Sequence, residues 1–353
     1  MRWTRRTPLL VHLIAGRGVP RPRIGDVTST SRAPSSGTPA ETTSTTGTGP
    51  LARLPKPSLR VQKGIALANV AAQIGIMTTG VTVRVTASGL GCETWPRCNE
   101  DSFVPVPGAT PGLHQAIEFG NRLLTFVLAA VAVALILALH RAGRRKQLLI
   151  LAWLMPLGIV AQAVIGGITV LAGLAWWTVA LHLLPSMILS WVAAILFVRI
   201  GEDDAAPARR VIPRPLTWLT VLSVVLLAGV LVSGTMVTGA GPHAGDARIG
   251  AADRLQLPIQ WLVHFHAELM IGYVCLLIGL VAGLVALKTQ GPAIRRCTIL
   301  IVMIAAQAVI GITQYQLGVP EGLVILHVTL AGAITAVTGA LWAAGVIRDR
   351  ATD

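Results

Sequence analysis

Beyond residue 60 the chain alternates between long apolar stretches and short polar ones, with a period far longer than that of an amphipathic surface helix. Eight apolar segments stand out: 62–83, 115–139, 148–171, 177–198, 217–239, 260–287, 298–317 and 322–346. Each is near the ~20 residues an α-helix needs to cross a bilayer. Long polar stretches follow the first and fifth segments, roughly 84–114 and 240–259, and short turns join the third to the fourth and the seventh to the eighth. The pattern predicts an all-α polytopic membrane protein with eight transmembrane helices.

The pattern also repeats. Ala-Gln-Ala-Val-Ile-Gly occurs at Ala161–Gly166 and again at Ala306–Gly311, 145 positions later. A histidine follows each copy at the same distance, 20 residues from Gln162 to His182 and 20 from Gln307 to His327. The same shift carries Asn121 onto His266. Thr-Ala-Ser-Gly from Thr86 and Thr-Gly-Ala-Gly from Thr238 extend the match, with seven extra residues in the first half's long loop. Such self-similarity predicts two four-helix bundles related as a parallel repeat, about an axis along the membrane normal. The expected organisation is a basic, disordered tail over 1–60, an N-terminal half over 61–200, a cytoplasmic linker over 201–216 and a C-terminal half over 217–347.

Composition agrees with this reading. The 353 residues are 53% hydrophobic and 12% charged, against about 25% charged in soluble domains. The formal net charge of +14 is unevenly placed. The N-terminal tail, alternate loops and the C-terminus hold 24 of the 29 Lys and Arg, and only Arg84, Arg97, Arg122, Arg248 and Arg254 lie elsewhere. By the positive-inside rule both termini are cytoplasmic and the two long loops external. Basic residues split among short loops rule against nucleic acid as a partner; the partner they imply is the lipid bilayer. The expected location is a bacterial plasma membrane. The Arg-rich, acid-poor tail also has the composition of an organellar transit peptide, so a mitochondrial inner membrane is the alternative.

Polar residues inside apolar segments are the candidates for chemistry, because ionisable groups in lipid are costly and usually mark a site. His182, His266 and His327 lie a few residues inside the external ends of segments four, six and eight, and Glu118 and Asn121 lie at a similar depth in segment two. His264 competes with His266, but the two point about 200° apart on a helix, and the repeat register selects His266. Neutral imidazoles from facing helices hold haem iron in helical bundles. His266 and His327 belong to one half and can clamp one iron from both sides. The first half offers His182 opposite Asn121, a poor iron ligand. Glu118 and Arg122, spaced i, i+4, form either a helix-stabilising ion pair or a site in which Arg122 binds a haem propionate and Glu118 handles protons. Of the four cysteines, Cys92 and Cys98 share the first long loop, where an external location permits oxidation. Cys275 and Cys297 read as packing residues.

Taken together, Gly89–Cys98 (Gly-Leu-Gly-Cys-Glu-Thr-Trp-Pro-Arg-Cys), Ile117–Arg122 (Ile-Glu-Phe-Gly-Asn-Arg), the two repeat copies and the segments around the three histidines resemble the haem A synthase family, over roughly residues 62–346. The resemblance implies oxidation of the C8 methyl of haem O to the formyl group of haem A, the prosthetic group of cytochrome oxidases. It implies a cofactor haem b on His266 and His327, haem O as substrate in the N-terminal half, a catalytic Glu118 and a Cys92–Cys98 disulfide. It also implies haem O synthase and cytochrome oxidase assembly factors as partners. Many family members carry His at the position of Asn121; the departure leaves His182 as the clear iron ligand of the first half, beside Asn121 and Arg122. The competing reading is a non-catalytic bis-His membrane cytochrome, for which equivalent sites are expected instead of unequal ones. A transporter, suggested by the repeat, is disfavoured because no matched Gly/Pro interruptions break the helices at midplane.

Overall fold

Ser58 opens the first helix: its hydroxyl accepts a hydrogen bond from the Val61 amide, one of the donors a helix N-terminus leaves free. The computed structural model describes residues 55–108, 112–289 and 291–350. Of the expected tail, residues 1–54 lie outside that range, and its last residues already belong to the first helix. The helices are α1 (Leu59–Val85), α2 (Gly112–Arg141), α3 (Lys146–Leu171), α4 (Trp176–Ile200), α5 (Arg214–Ala240), α6 (Ile259–Ala286), α7 (Pro292–Gln316) and α8 (Glu321–Ala343). All eight are long and apolar enough to cross a membrane. At 1.5 Å per residue even the shortest exceeds the ~30 Å hydrocarbon core.

Two ends depart from the hydropathy reading. The seventh helix begins at Pro292, six residues before the apolar stretch, and includes Arg295 and Arg296. Proline suits a first turn, where its missing N–H costs nothing, and arginine is a good helix former. Hydropathy marks the lipid-facing span, not the helix. The eighth helix stops at Ala343, and Val346–Ile347 pairs as an antiparallel strand with Arg209–Arg210.

Large apolar side chains point outward all round the bundle: Leu67, Phe126, Leu157, Ile188, Val225, Ile271, Val302 and Leu326 are exposed, one on each helix in turn. Polar ones point inward, as Gln62, Asn69 and Gln73 do along one face of α1. That inversion of the soluble pattern is the one lipid demands. Within each half, consecutive helices pack side by side, α1 on α2, α2 on α3 and α3 on α4, and likewise α5 through α8. The halves then differ. The fourth helix closes broadly onto α1, whereas α8 barely meets α5 and leans across onto α4 and α1.

Both ends of the bundle are tied. At the basic end, Arg144 and Arg145 bind Asp204 at 2.9 and 2.8 Å, and Arg145 and Arg199 bind Glu202 at 2.8 Å each. The segment joining the halves is thus stitched to the helix ends. At the other, long-loop end, the Gly89 amide donates to the Gly245 carbonyl at 2.8 Å, and Arg248 reaches Glu93 at 2.7 Å and the Leu90 carbonyl at 3.1 Å. The two long loops therefore clasp one another.

Candidate functional site

A cavity of about 680 Å³ opens near the long-loop end, mostly among first-half residues but reaching Thr235, Thr238 and Gly239 of α5 and Val328 of α8, within the range of small-molecule and cofactor sites. Glu118, Asn121 and Arg122 of α2 line one side, and His182 and Ser186 of α4 with Gln162, Gly166 and Gly167 of α3 line another. Gln73 and Met77 of α1 also face it, and Trp95, Pro96 and Phe103 of the first long loop complete the wall. The sequence candidates of the first half therefore surround one space.

His182 is built to face that space. Across from it stands Gly166, the last residue of the repeated hexapeptide; a Cβ there would lie 3.0 Å from His182 Cε1. Glycine lets the imidazole lie against the α3 backbone. Its Nδ1 is buried and has no hydrogen-bond partner among the described residues. Asn121 is differently engaged, its Oδ1 accepting from Thr79 Oγ1 at 2.6 Å.

The first long loop is anchored by the α2 pair. Cys92 and Cys98 are disulfide-bonded. Glu118, buried, accepts from the Cys92 amide at 2.7 Å and from Arg122 Nη2 at 2.6 Å. Arg122 donates onward to the carbonyls of Cys92, Thr94 and Arg97 at 3.1–3.2 Å. The loop's Trp95 is seated against Gly167, where any Cβ would collide with the indole at 2.3 Å. A charged pair in an apolar setting is stable only when its remaining donors and acceptors are met, and here the loop backbone meets them.

In the second half, His266 and His327 face one another with ring centroids 6.4 Å apart. Metal–imidazole bonds are about 2 Å long and a ring nitrogen lies about 1 Å from its centroid, so two rings sharing one ion sit about 6 Å apart. Ser233 Oγ holds Nδ1 of His266 at 3.0 Å, the contact that leaves Nε2 for a metal. His327 Nδ1 is buried without a partner. Each ring again faces a glycine: Gly234 stands against His266 and Gly311 against His327, both with a would-be Cβ 3.2 Å from the ring. Among the described residues no group of three or more His, Cys, Asp or Glu could hold a metal ion. Two facing imidazoles suit a metal that brings its other ligands with it, as haem does, so the donor set fits that group.

His264 is exposed, and its Nδ1 contacts the carbonyl of Gln260 at 2.8 Å, away from the pair. Residue-by-residue reading did not single out Gly166, Gly311, Gly234 or Ser233. The first two were visible in principle, since they close the repeated hexapeptides. The others owe their roles to neighbours far away in the chain.

No family model matches the chain. Curated relatives do. A protein named Heme A synthase from Lysinibacillus sphaericus (strain C3-41) is 32% identical over 183 residues, covering 50% of this chain and 58% of the relative. One of the same name from Bacillus licheniformis is 28% identical over 145 residues, covering 40% and 46%. Another, from Halalkalibacterium halodurans, is 29% identical over 134 residues, covering 37% and 43%. Over the matched stretches the chain is similar to these haem A synthases. It spans about half the length of the curated relatives it matches.

Proposed function

We propose that this chain is a haem A synthase, an oxidoreductase that converts the C8 methyl of haem O to the formyl group of haem A. The carrying observation is the pairing of two unequal sites: a cavity of about 680 Å³ beside the unpartnered His182, and a facing His266–His327 pair. In this reading haem O would occupy the first-half cavity as substrate, and His266 and His327 would hold a resident haem b. Bound haem iron supplies the redox chemistry. The chain's residues position and insulate. His182 presents an imidazole to the substrate iron. Asn121 lies in the same wall without replacing a second histidine. Glu118, buried next to the loop, is the group placed to hold or release a proton at the cavity edge, and the disulfide loop with Trp95 limits water entry.

The same reading places both termini in the cytoplasm of a bacterial cell and the clasped long loops outside, on the strength of the 24-to-5 division of basic residues. Haem O synthase as supplier and oxidase assembly factors as receivers follow from the activity. The test is expression of the full chain beside a haem O synthase in a host with no haem A synthase of its own, with extracted haems separated by chromatography. Haem A is the expected product. Haem O alone, with a normal bis-His spectrum in the membranes, would instead identify a non-catalytic cytochrome.

A further inference from the structure

At the long-loop end the first-half cavity and a smaller cavity beside it each carry an arginine that the reading above leaves without a role. Arg122 is not available there, because each of its three guanidinium nitrogens already donates to Glu118 or to loop carbonyls. Arg84 and Arg254 are different. Arg84 sits at the end of α1 and lines the cavity, and its Nη2 donates only to the Thr238 carbonyl, at 3.2 Å. Arg254 follows the short turn before α6 and donates to the Gly241 carbonyl at 3.3 Å. In both, Nε is buried with no hydrogen-bond partner. Neither forms a salt bridge among the described residues.

Arg254 lines a second, smaller cavity of about 260 Å³. Trp176 belongs to both walls, so the two spaces adjoin with one arginine on each. Asp253 is the carboxylate in the smaller wall, and its Oδ2 accepts from the Gly250 amide at 3.2 Å. Two half-buried guanidiniums on adjoining cavity walls, met among the described residues only by two backbone carbonyls, are costly unless an anion joins them. The carbonyls help but carry no net charge. The forked donor geometry of arginine matches a carboxylate. The rest of the cavity, with Met77, Leu128, Leu183 and Leu189 in its wall, suits an apolar body.

We propose that Arg84 and Arg254 receive the carboxylates of the tetrapyrrole that occupies the first-half cavity. This rests on the porphyrin reading above and adds the orientation of the bound molecule: carboxylates toward the long loops, apolar edge toward the bundle interior. Orientation determines which ring substituent faces the reacting centre, so the two arginines would act as specificity determinants.

The experiment uses the full chain in detergent and two metal-free probes, protoporphyrin with free carboxylates and its dimethyl ester, followed by porphyrin fluorescence. Without iron the histidines contribute no axial bond, so the arginine contacts are what is read. The native chain is expected to bind the diacid more tightly than the ester. Arg84→Gln and Arg254→Gln should each weaken the diacid by about tenfold and leave the ester unchanged, while Arg84→Lys, which keeps the charge, should recover part of the loss. Diacid binding that is equal in native and variant chains would overturn the arginine assignment and leave the porphyrin reading standing. Equal losses for both probes would overturn it too, by showing that the arginines support the fold rather than the carboxylates. If neither probe binds the native chain, the porphyrin reading itself fails.

Discussion

The two halves of this molecule spend the same motif differently. In each, a repeated Ala-Gln-Ala-Val-Ile-Gly ends in a glycine that receives the ring of a histidine from the next helix, Gly166 for His182 and Gly311 for His327. In the second half another imidazole, His266, stands opposite, held by Ser233. In the first half the register position is Asn121, tied to Thr79, and the space beside it is a cavity of about 680 Å³. Packing follows the same division, because α4 closes onto α1 while α8 leans away from α5. One copy of the motif thus accompanies a facing pair of imidazoles, a clamp, and the other a chamber, with one facing residue different and seven more residues of loop. The added loop carries the disulfide, Trp95 and the backbone that Glu118 and Arg122 hold.

The strongest way to break this comparison is to remove the clamp. On the proposed reading His266→Ala or His327→Ala removes one of the two imidazoles that would hold the iron, and the low-spin haem spectrum of the purified chain should vanish. An unchanged bis-His spectrum in His327→Ala would refute the clamp.

Next in size is Glu118→Ala. Haem A formation should fall by on the order of 10² or more, the usual reach of proton handling by a positioned side chain, with the second-half spectrum intact. Glu118→Gln separates chemistry from anchoring, since an amide can still accept from the Cys92 amide. Native conversion rates in both variants would reduce Glu118 to a loop anchor.

Substitutions at position 121 test how unequal the halves are. Asn121→Ala should cost less haem O conversion than His182→Ala. Asn121→His should make the first half resemble the second and add a six-coordinate haem signal; failure to add one would mean that the α2 backbone, not the side chain, sets the difference. A smaller change comes from the glycines. Gly311→Ala puts a Cβ 3.2 Å from His327, and overpacking of this kind costs about 1–3 kcal/mol, so haem retention should drop by about tenfold without loss of the fold. Retention at native levels would show that the ring has room to move.

The smallest expected effect lies in the loop clasp. Partial burial alone would raise the Asp246 carboxyl, but hydrogen bonds and charge from Arg248 outweigh it and hold it below the usual carboxylate range. A carboxyl depressed in the folded state stabilises above its unfolded pKa of ~3.9 and loses that contribution as pH falls through the folded value. Because Arg248 is half-exposed, the gain is under about 1 kcal/mol. Proteolysis of the 241–258 loop should therefore rise only slightly in Arg248→Ala at neutral pH, with the difference from native disappearing in strong acid. A large change at neutral pH would mean that the clasp, rather than the helices, holds the halves together at this end.

Much of this architecture was legible from one-dimensional patterns. Eight apolar stretches implied eight helices because lipid leaves a backbone no partner but itself. The internal repeat singled out His266 over His264, and the side chains face accordingly. Misplaced helix ends arose where charge and helix part company, as at Arg295 and Arg296.

What the chain's sequence determined by itself was the number of helices, their apolar outer faces and the register of the three histidines, since these follow from residue type and spacing alone. Only the tertiary structure decided that Gly166, Gly234 and Gly311 are seats for imidazole rings, that Arg122 is consumed by the disulfide loop, and that Arg84 and Arg254, each beside a cavity, meet no carboxylate among the described residues. The physical reason is that hydrogen-bond satisfaction and ring clearance are properties of pairs. Arg84 meets the Thr238 carbonyl across 154 positions of sequence, a distance no periodicity spans.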